Sequence, residues 1–176
     1  MKLLKTEGGR FVFYLGRREA ALLLKVLKFY PLLPTDYHRV TRSTGAEWGP
    51  DAQRLLEESM AEHQRENVKL LELLGPRKLR PAGDRPGYRL ALDRAEVERL
   101  LQILNDIRVG SWLRVGCPDP DEGKLPEVND QNVRYYIAMR AGEQFECALI
   151  AALDPGAFPR DGELEPGDED RPGHPE

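Results

Sequence analysis

An asparagine and an aspartate interrupt one of the most apolar stretches of the chain. Asn105 and Asp106 stand between Leu104 and Ile107, and Arg108 follows directly. A polar group that is buried without a hydrogen-bond partner is destabilising, so these side chains need partners or a ligand. Two interpretations are open. One is a structural network that joins Asn105 or Asp106 to an arginine or a backbone end. The other is a binding pocket or partner surface that includes Arg108.

A cluster of positive charge lies in a segment rich in proline and glycine. Arg77, Lys78 and Arg80 fall within residues 77–87, which the composition predicts to be a linker. A nucleic-acid interface needs basic residues gathered on one face. The cluster would therefore have to converge with further cationic side chains, namely Arg17, Arg18, Lys25, Arg85 and Arg89. Because the net charge is −4, nucleic acid is not the favoured partner.

The histidines do not have the spacing of a metal site. His38, His63 and His174 are far apart in sequence, so no two share one face of a helix. Zinc sites of the common types need closely spaced pairs of ligands. The sequence thus predicts no metal and no other cofactor.

Catalytic motifs are absent from the sequence as well. It contains no glycine-rich phosphate loop and no nucleophile elbow, and neither cysteine has a histidine nearby. An enzyme would need a deep pocket that combines Asn105 or Asp106 with His63 or Glu66. We therefore expect a protein without catalytic residues.

The two cysteines are not predicted to pair. If the third and fourth helices are antiparallel, Cys117 and Cys147 lie about 25 Å apart at 1.5 Å per helical residue. A disulfide requires Cα atoms within about 7 Å. Cys147 lies between Phe145 and Leu149 and is predicted to be a small core residue. Cys117 is expected to be the more exposed thiol and the only candidate for redox chemistry.

Apolar periodicity and breaker residues predict an α+β fold that is mostly α. The predicted body has four helices, at residues 17–30, 50–74, 94–115 and 130–153. A small antiparallel sheet combines an N-terminal hairpin, with strands at 2–6 and 10–15, and a strand at 88–92. Gly8-Gly9 suits the hairpin turn. The third helix is apolar on most sides, which predicts that it is central.

One domain is expected over residues 1–153. Residues 154–176 carry eight acidic residues against two arginines, a net charge of −6, and are expected to form a disordered tail. No apolar run approaches the roughly 20 residues of a membrane span. The N-terminus has no apolar signal region, so the protein is predicted to be cytoplasmic.

Two stretches that lie 77 residues apart have similar patterns of apolar and polar residues. Residues 11–20 and 88–97 each contain a short strand, a cap and the start of an apolar helix. One interpretation is two related units packed about a pseudo-two-fold axis, which predicts that Leu15 and Leu92 lie in neighbouring strands. The alternative is chance, since strand, cap and helix often follow one another.

The third predicted helix carries a family resemblance. Leu92-Asp93, then the run Leu100-Leu101-Gln102-Ile103-Leu104-Asn105-Asp106-Ile107-Arg108-Val109-Gly110, and then Leu113 and Val115-Gly116 resemble the central motif of the AosR-like family. These are small bacterial regulators, often encoded beside the ClpS adaptor. Gly8-Gly9, the segment Glu19–Leu23 and a final aromatic helix also fit, so the resemblance spans most of residues 8–153. It implies an α-rich fold and a regulatory role through protein or DNA contacts.

The resemblance does not extend to the cysteine pair near the start on which redox sensing in the family depends, because residues 1–116 contain no cysteine. We therefore expect a non-enzymatic, cytoplasmic regulatory or adaptor-type protein. It would act through contacts with a protein partner, which includes a second copy of itself. The alternatives are a DNA-associated transcription regulator and a small enzyme with a pocket around Asn105 and Asp106.

Overall fold

In the part of the chain that the structure describes, four helices pack on one four-stranded antiparallel sheet. This computed structural model describes residues 1–33, 50–83, 85–119 and 121–157. The elements are β1 (Lys2–Glu7), β2 (Arg10–Leu15), α1 (Arg17–Leu27), α2 (Pro50–Leu73), a π-helical turn (Leu74–Lys78), β3 (Leu79–Pro81), β4 (Tyr88–Asp93), α3 (Arg94–Arg114) and α4 (Val133–Leu153). The predicted α+β, mostly α fold is confirmed.

The sheet has the strand order β1-β2-β4-β3. Gly8 and Gly9 join β1 to β2 with positive φ angles of 57° and 74°, a conformation that glycine adopts without strain. Side chains alternate between the two faces of a strand. Phe13, Leu15 and Leu90 are fully buried on the face that meets the helices. The alternating residues point to the opposite, outer face of the sheet.

Helix α3 is the central rod, as the sequence predicted. Its Leu100, Ile103, Leu104 and Ile107 are 0% exposed. Asp93 caps its first turn, accepting a hydrogen bond from the Glu96 amide at 2.9 Å. Helix α3 packs most extensively against α4, and it also contacts α1, α2 and β4. The core therefore lies between the sheet and α3, with the other helices around it.

The two matching stretches are neighbours in the sheet. Strands β2 and β4, which contain Leu15 and Leu92, pair directly, so the predicted adjacency is confirmed. Phe13 and Leu90 are counterparts at the 77-residue offset, and they are also paired across the two strands. A pseudo-two-fold axis thus passes between Phe13 and Leu90, and it relates β1-β2-α1 to β3-β4-α3.

The helix caps of the two units also correspond. The Glu19 carboxylate accepts from the Gly16 amide at 2.7 Å, and Glu96 accepts from the Asp93 amide at 3.0 Å. The N-terminal ammonium of Met1 contacts Glu19, whereas the Lys78 ammonium contacts Glu96. Each unit therefore places a cation on its cap glutamate just before its outer strand begins.

Several predicted boundaries were wrong. The segment 77–87 is not only a linker, because it contains β3, whose three residues are too few to give a periodic signal. Gly75-Pro76 was predicted to follow the end of the second helix, but the helical conformation continues through these residues, as a π-helical turn, to Lys78. The first helix ends at Leu27, since the next three amides bond three residues back. The fourth begins at Val133, after a turn centred on Asn129.

The predicted apolar stripe of α2 was wrong in its first half. Leu55 is 60% exposed and His63 is exposed, whereas Asn67, Leu70 and Leu74 are buried. Only the last part of this helix therefore belongs to the core. Among the described helices, none combines the length and the hydrophobicity that a membrane span requires.

The predicted loop 31–49 and tail 154–176 are described only at 31–33 and 154–157. His38 and His174 lie outside the described residues.

Candidate functional site

The Asp106 carboxylate binds the backbone of the segment that follows α1. Its Oδ1 accepts hydrogen bonds from the backbone amides of Leu32 at 2.7 Å and Leu33 at 3.4 Å. Gly110 lies one turn further along α3, where an added Cβ would come within 2.8 Å of Leu32 Cγ. The carboxylate thus binds the backbone of residue 32, while the missing side chain of Gly110 makes room for it. We call this contact the Asp106–Gly110 bracket.

Asn105 and Arg108 belong to a separate network on the other side of α3. Asn105 is exposed, and its Oδ1 accepts from Arg108 Nη2 at 2.8 Å. Arg108 Nε lies 2.9 Å from Oε2 of Glu146 on α4. Burial raises the pKa of the Glu146 carboxyl, and the charge of Arg108 opposes that shift. The predicted structural network is therefore present, and it joins α3 to α4.

A buried polar pair connects α2 to the end of the α1 segment. Asn67 is 5% exposed, and its Nδ2 donates to the Tyr30 hydroxyl at 3.1 Å. The Asn67 Oδ1 is buried without a hydrogen-bond partner. Burial raises the pKa of the Tyr30 phenol, the hydrogen bond from Asn67 lowers it, and the charge of Asp106 raises it further. Sequence reasoning missed this pair, because Asn67 sits among polar residues of a helix.

The predicted cluster of Arg77, Lys78 and Arg80 is divided by the fold. Lys78 is half-buried and contacts Glu96, whereas Arg77 and Arg80 are exposed. Arg80 lies on β3 directly opposite Arg89 of β4. Asn105, Asp106 and Arg108 are on α3, so the two groups of predicted site residues do not form one site.

Basic residues from several elements lie at one end of the sheet. Lys2, Tyr14, Arg89 and Arg80 form a row across the four strands, each paired with the next. Three strand spacings make this row about 14 Å long. Beside it lies a cleft of about 440 Å³ that includes Arg17 and Arg85 in its lining. Arg85 stacks on the Tyr14 ring at 5.6 Å, which links the cleft to the row. We call Lys2, Arg17, Arg80, Arg85 and Arg89 the basic face.

The rest of the outer face is less positively charged. Val12 and Ala91 are paired with each other and half-buried, which gives the centre an apolar surface. At the far end, Arg10 lies between Glu7 and Asp93. Positive charge is thus concentrated at one end. Alternation places Arg89 and Ala91 on one face of β4, but only the pairing register of the sheet adds Lys2, Tyr14 and Arg80 to that face.

The cysteines are both free thiols. Cys147 is exposed, so its predicted place in the core was wrong, since the buried face of α4 is formed by Phe145 and Leu149 on either side. Cys117 is half-buried, with a positive φ of 53°, just after α3 ends, so the prediction that it is the more exposed of the two thiols was wrong. Its amide donates to the Trp112 carbonyl at 3.0 Å.

The residues proposed for an enzyme pocket have separate surroundings. His63 is exposed on α2, and Glu66 forms an ion pair with Arg99 at 3.1 Å. Asp106 is engaged in the bracket, and none of these residues lines the cleft of the basic face. Among the described residues, no three side chains of the metal-ligating types come together.

No protein-family model, curated protein or solved structure matches this chain. In the structure, the stretch around Asn105 and Asp106 supplies the bracket and the link from α3 to α4.

Proposed function

We propose that the protein is a non-enzymatic, cytoplasmic regulatory protein of adaptor type that binds a protein partner through its basic face. The observation that carries this proposal is the convergence of five cationic side chains from β1, α1, β3, β4 and the loop before β4. Four of them are arginines, whose planar guanidinium groups bind carboxylates in a bidentate manner. The resemblance to a family of small bacterial regulators agrees with this role.

Two arginines of the basic face lie opposite each other across a strand pair. Arg80 and Arg89 are directly opposed, and like charges in that position are destabilising. By contrast, Asn105, Asp106 and Arg108 contact other parts of the same chain.

Quantitative affinity capture from the native host tests this proposal. The tagged chain is compared with the variant R17E/R80E, which reverses two charges of the basic face. This variant should fold well, because an acid at the first turn of α1 is favourable and the new carboxylate at position 80 would lie opposite Arg89. The control R65E/K69E makes the same charge change on exposed residues of α2.

Proteins that bind the wild type and the control, but not R17E/R80E, would support the proposal. Capture of the bait alone, or equal capture by R17E/R80E, would contradict it. A second, differently tagged copy in the same experiment tests self-association.

A DNA-associated regulator is the second candidate, and the basic face favours it too. Arg17, Arg80, Arg85 and Arg89 belong to the set that this role needs. Lys78 does not join them, since it contacts Glu96. Fluorescence anisotropy of a duplex of about 20 base pairs distinguishes the two, because DNA binding weakens steeply with salt. Tight binding at about 0.15 M salt that R17E/R80E abolishes would favour DNA.

A further inference from the structure

The dimensions and the composition of the basic face indicate more about its partner than that the partner is acidic. The row from Lys2 to Arg80 is about 14 Å long, and the cleft with Arg17 and Arg85 adjoins it. An extended peptide rises about 3.3 Å per residue, so four or five residues span the row. The positive surface therefore has the size of a short linear segment.

Apolar groups lie among these charges. The lining of the cleft is mainly polar, but it includes Pro81, Pro86 and Tyr88 as well as two arginines. Val12 and Ala91 make the centre of the outer face apolar. Phosphate groups gain nothing from such contacts, whereas a peptide can place apolar side chains between its carboxylates.

Two further features disfavour a nucleic-acid strand. Single-stranded nucleic acids bind by stacking bases on exposed aromatic rings. The Tyr14 ring already has Arg85 over it at 5.6 Å, and its hydroxyl donates to the Pro86 carbonyl at 2.8 Å. At the far end of the outer face, Arg10 and Lys5 are balanced by Glu7 and Asp93, so a longer strand would gain no further attraction there. A short segment therefore loses nothing by ending before that point.

We propose that the basic face binds a short, extended acidic segment of a partner protein, in which carboxylates alternate with apolar residues. This inference rests on the proposed function and names the chemistry of the partner. The carboxylates would pair with Arg80 and Arg17, and the apolar residues would contact Val12 and the two prolines of the cleft. Arg85 would remain on the Tyr14 ring and present its outer edge.

Selection from a random peptide library against the full-length chain tests the inference. We expect enrichment of sequences that combine Asp or Glu with apolar residues. The most enriched peptide, once synthesised with a fluorescent label, should bind R17E/R80E at least about tenfold more weakly than wild type, which is about 1.4 kcal/mol. It should bind the control R65E/K69E as wild type does. Replacement of its acids by the matching amides should remove binding.

Each contrary result is informative. Selected peptides without acids, or peptides whose binding R17E/R80E leaves unchanged, would overturn the inference. So would a single-stranded oligothymidylate of the same length that binds more tightly than the best peptide at about 0.15 M salt. Host proteins captured through the basic face would still support the proposed function, so the two failures can be told apart.

Discussion

Replacing Gly110 by alanine tests the Asp106–Gly110 bracket directly. In the interior of a helix, alanine is favoured over glycine by about 1 kcal/mol. At position 110, however, the new Cβ would come within 2.8 Å of Leu32 Cγ, 2.9 Å of Leu32 Cβ and 3.0 Å of its carbonyl carbon. Rotation of a side chain cannot relieve the last two contacts, so the backbone of residue 32 must move.

The magnitude follows from these two opposing terms. Overpacking in a filled site destabilises a protein by about 1–3 kcal/mol. After the helix-propensity gain, G110A should destabilise the protein by about 0–2 kcal/mol. Gly142 on α4 is the matched control, because a Cβ there meets Arg108 Cβ at 3.6 Å and the Leu104 carbonyl at 3.7 Å, which are ordinary contacts. G142A should therefore stabilise by about 0.5–1 kcal/mol.

Urea denaturation of the two variants measures the difference, which we expect to be about 1–3 kcal/mol. Hydrogen exchange adds a local measurement. In G110A the Leu32 amide should exchange faster, because moving residue 32 lengthens its 2.7 Å hydrogen bond to Asp106. In G142A that amide should keep its protection. Equal stabilisation by both alanines, with an unchanged Leu32 amide, would refute the bracket.

Three further changes have clear expected outcomes. D106A should destabilise the protein by about 1.5–3 kcal/mol, the usual contribution of hydrogen bonds to a charged group. D106N should destabilise it less, because the amide oxygen of asparagine still accepts a hydrogen bond. Urea denaturation measures both effects. Y30F leaves the buried Asn67 amide without a partner and should destabilise by about 1–3 kcal/mol; the double variant Y30F/N67L should recover part of this loss in thermal unfolding. The hydrogen bond from the N-terminal ammonium lowers the pKa of Glu19 from 4.5. The ionised Glu19 carboxylate therefore stabilises the folded state above about pH 4.5, and this stabilisation is lost as the pH falls. E19Q should therefore flatten the loss of stability as the pH falls below 4.5, and an unchanged pH profile would contradict the assignment.

Most of the fold could be predicted because its signals are local. The Gly8-Gly9 turn, the Asp93 cap and the apolar periodicity of α3 each act over a few residues, and each agrees with the final structure. Strand β3 could not be predicted in this way. It has three residues, one of them Pro81, and exists because β4 offers it a pairing edge.

The site depended still more on long-range contacts. The sequence shows that Asp106 needs a partner, but that partner is an amide 74 residues away. Likewise Lys2 and Arg80 are 78 residues apart and share a face only through the register of four strands. Cys147 was misplaced because its neighbours Phe145 and Leu149 are buried, although position 147 points to the opposite side of the same helix.

The internal repeat explains where the basic face arises. At the 77-residue offset, the core positions correspond: Phe13 matches Leu90 and Leu15 matches Leu92, and all four are fully buried. Two of the three arginines of the second unit have no such counterparts, because Arg85 and Arg89 correspond to Gly8 and Val12. Arg80, which lies opposite Arg89, corresponds to Lys5, which lies opposite Val12.

Residues that are apolar in both units therefore form the core, where close packing restricts the choice of side chain. Arg85 and Arg89, in which the units differ, add to the exposed, charged end of the sheet. The longer connection between β3 and β4, in place of the tight turn at Gly8-Gly9, supplies Arg85 and most of the cleft lining. A surface that breaks the pseudo-symmetry in this way is better suited to one asymmetric partner than to two equivalent ones, which agrees with a single short segment bound across the strands.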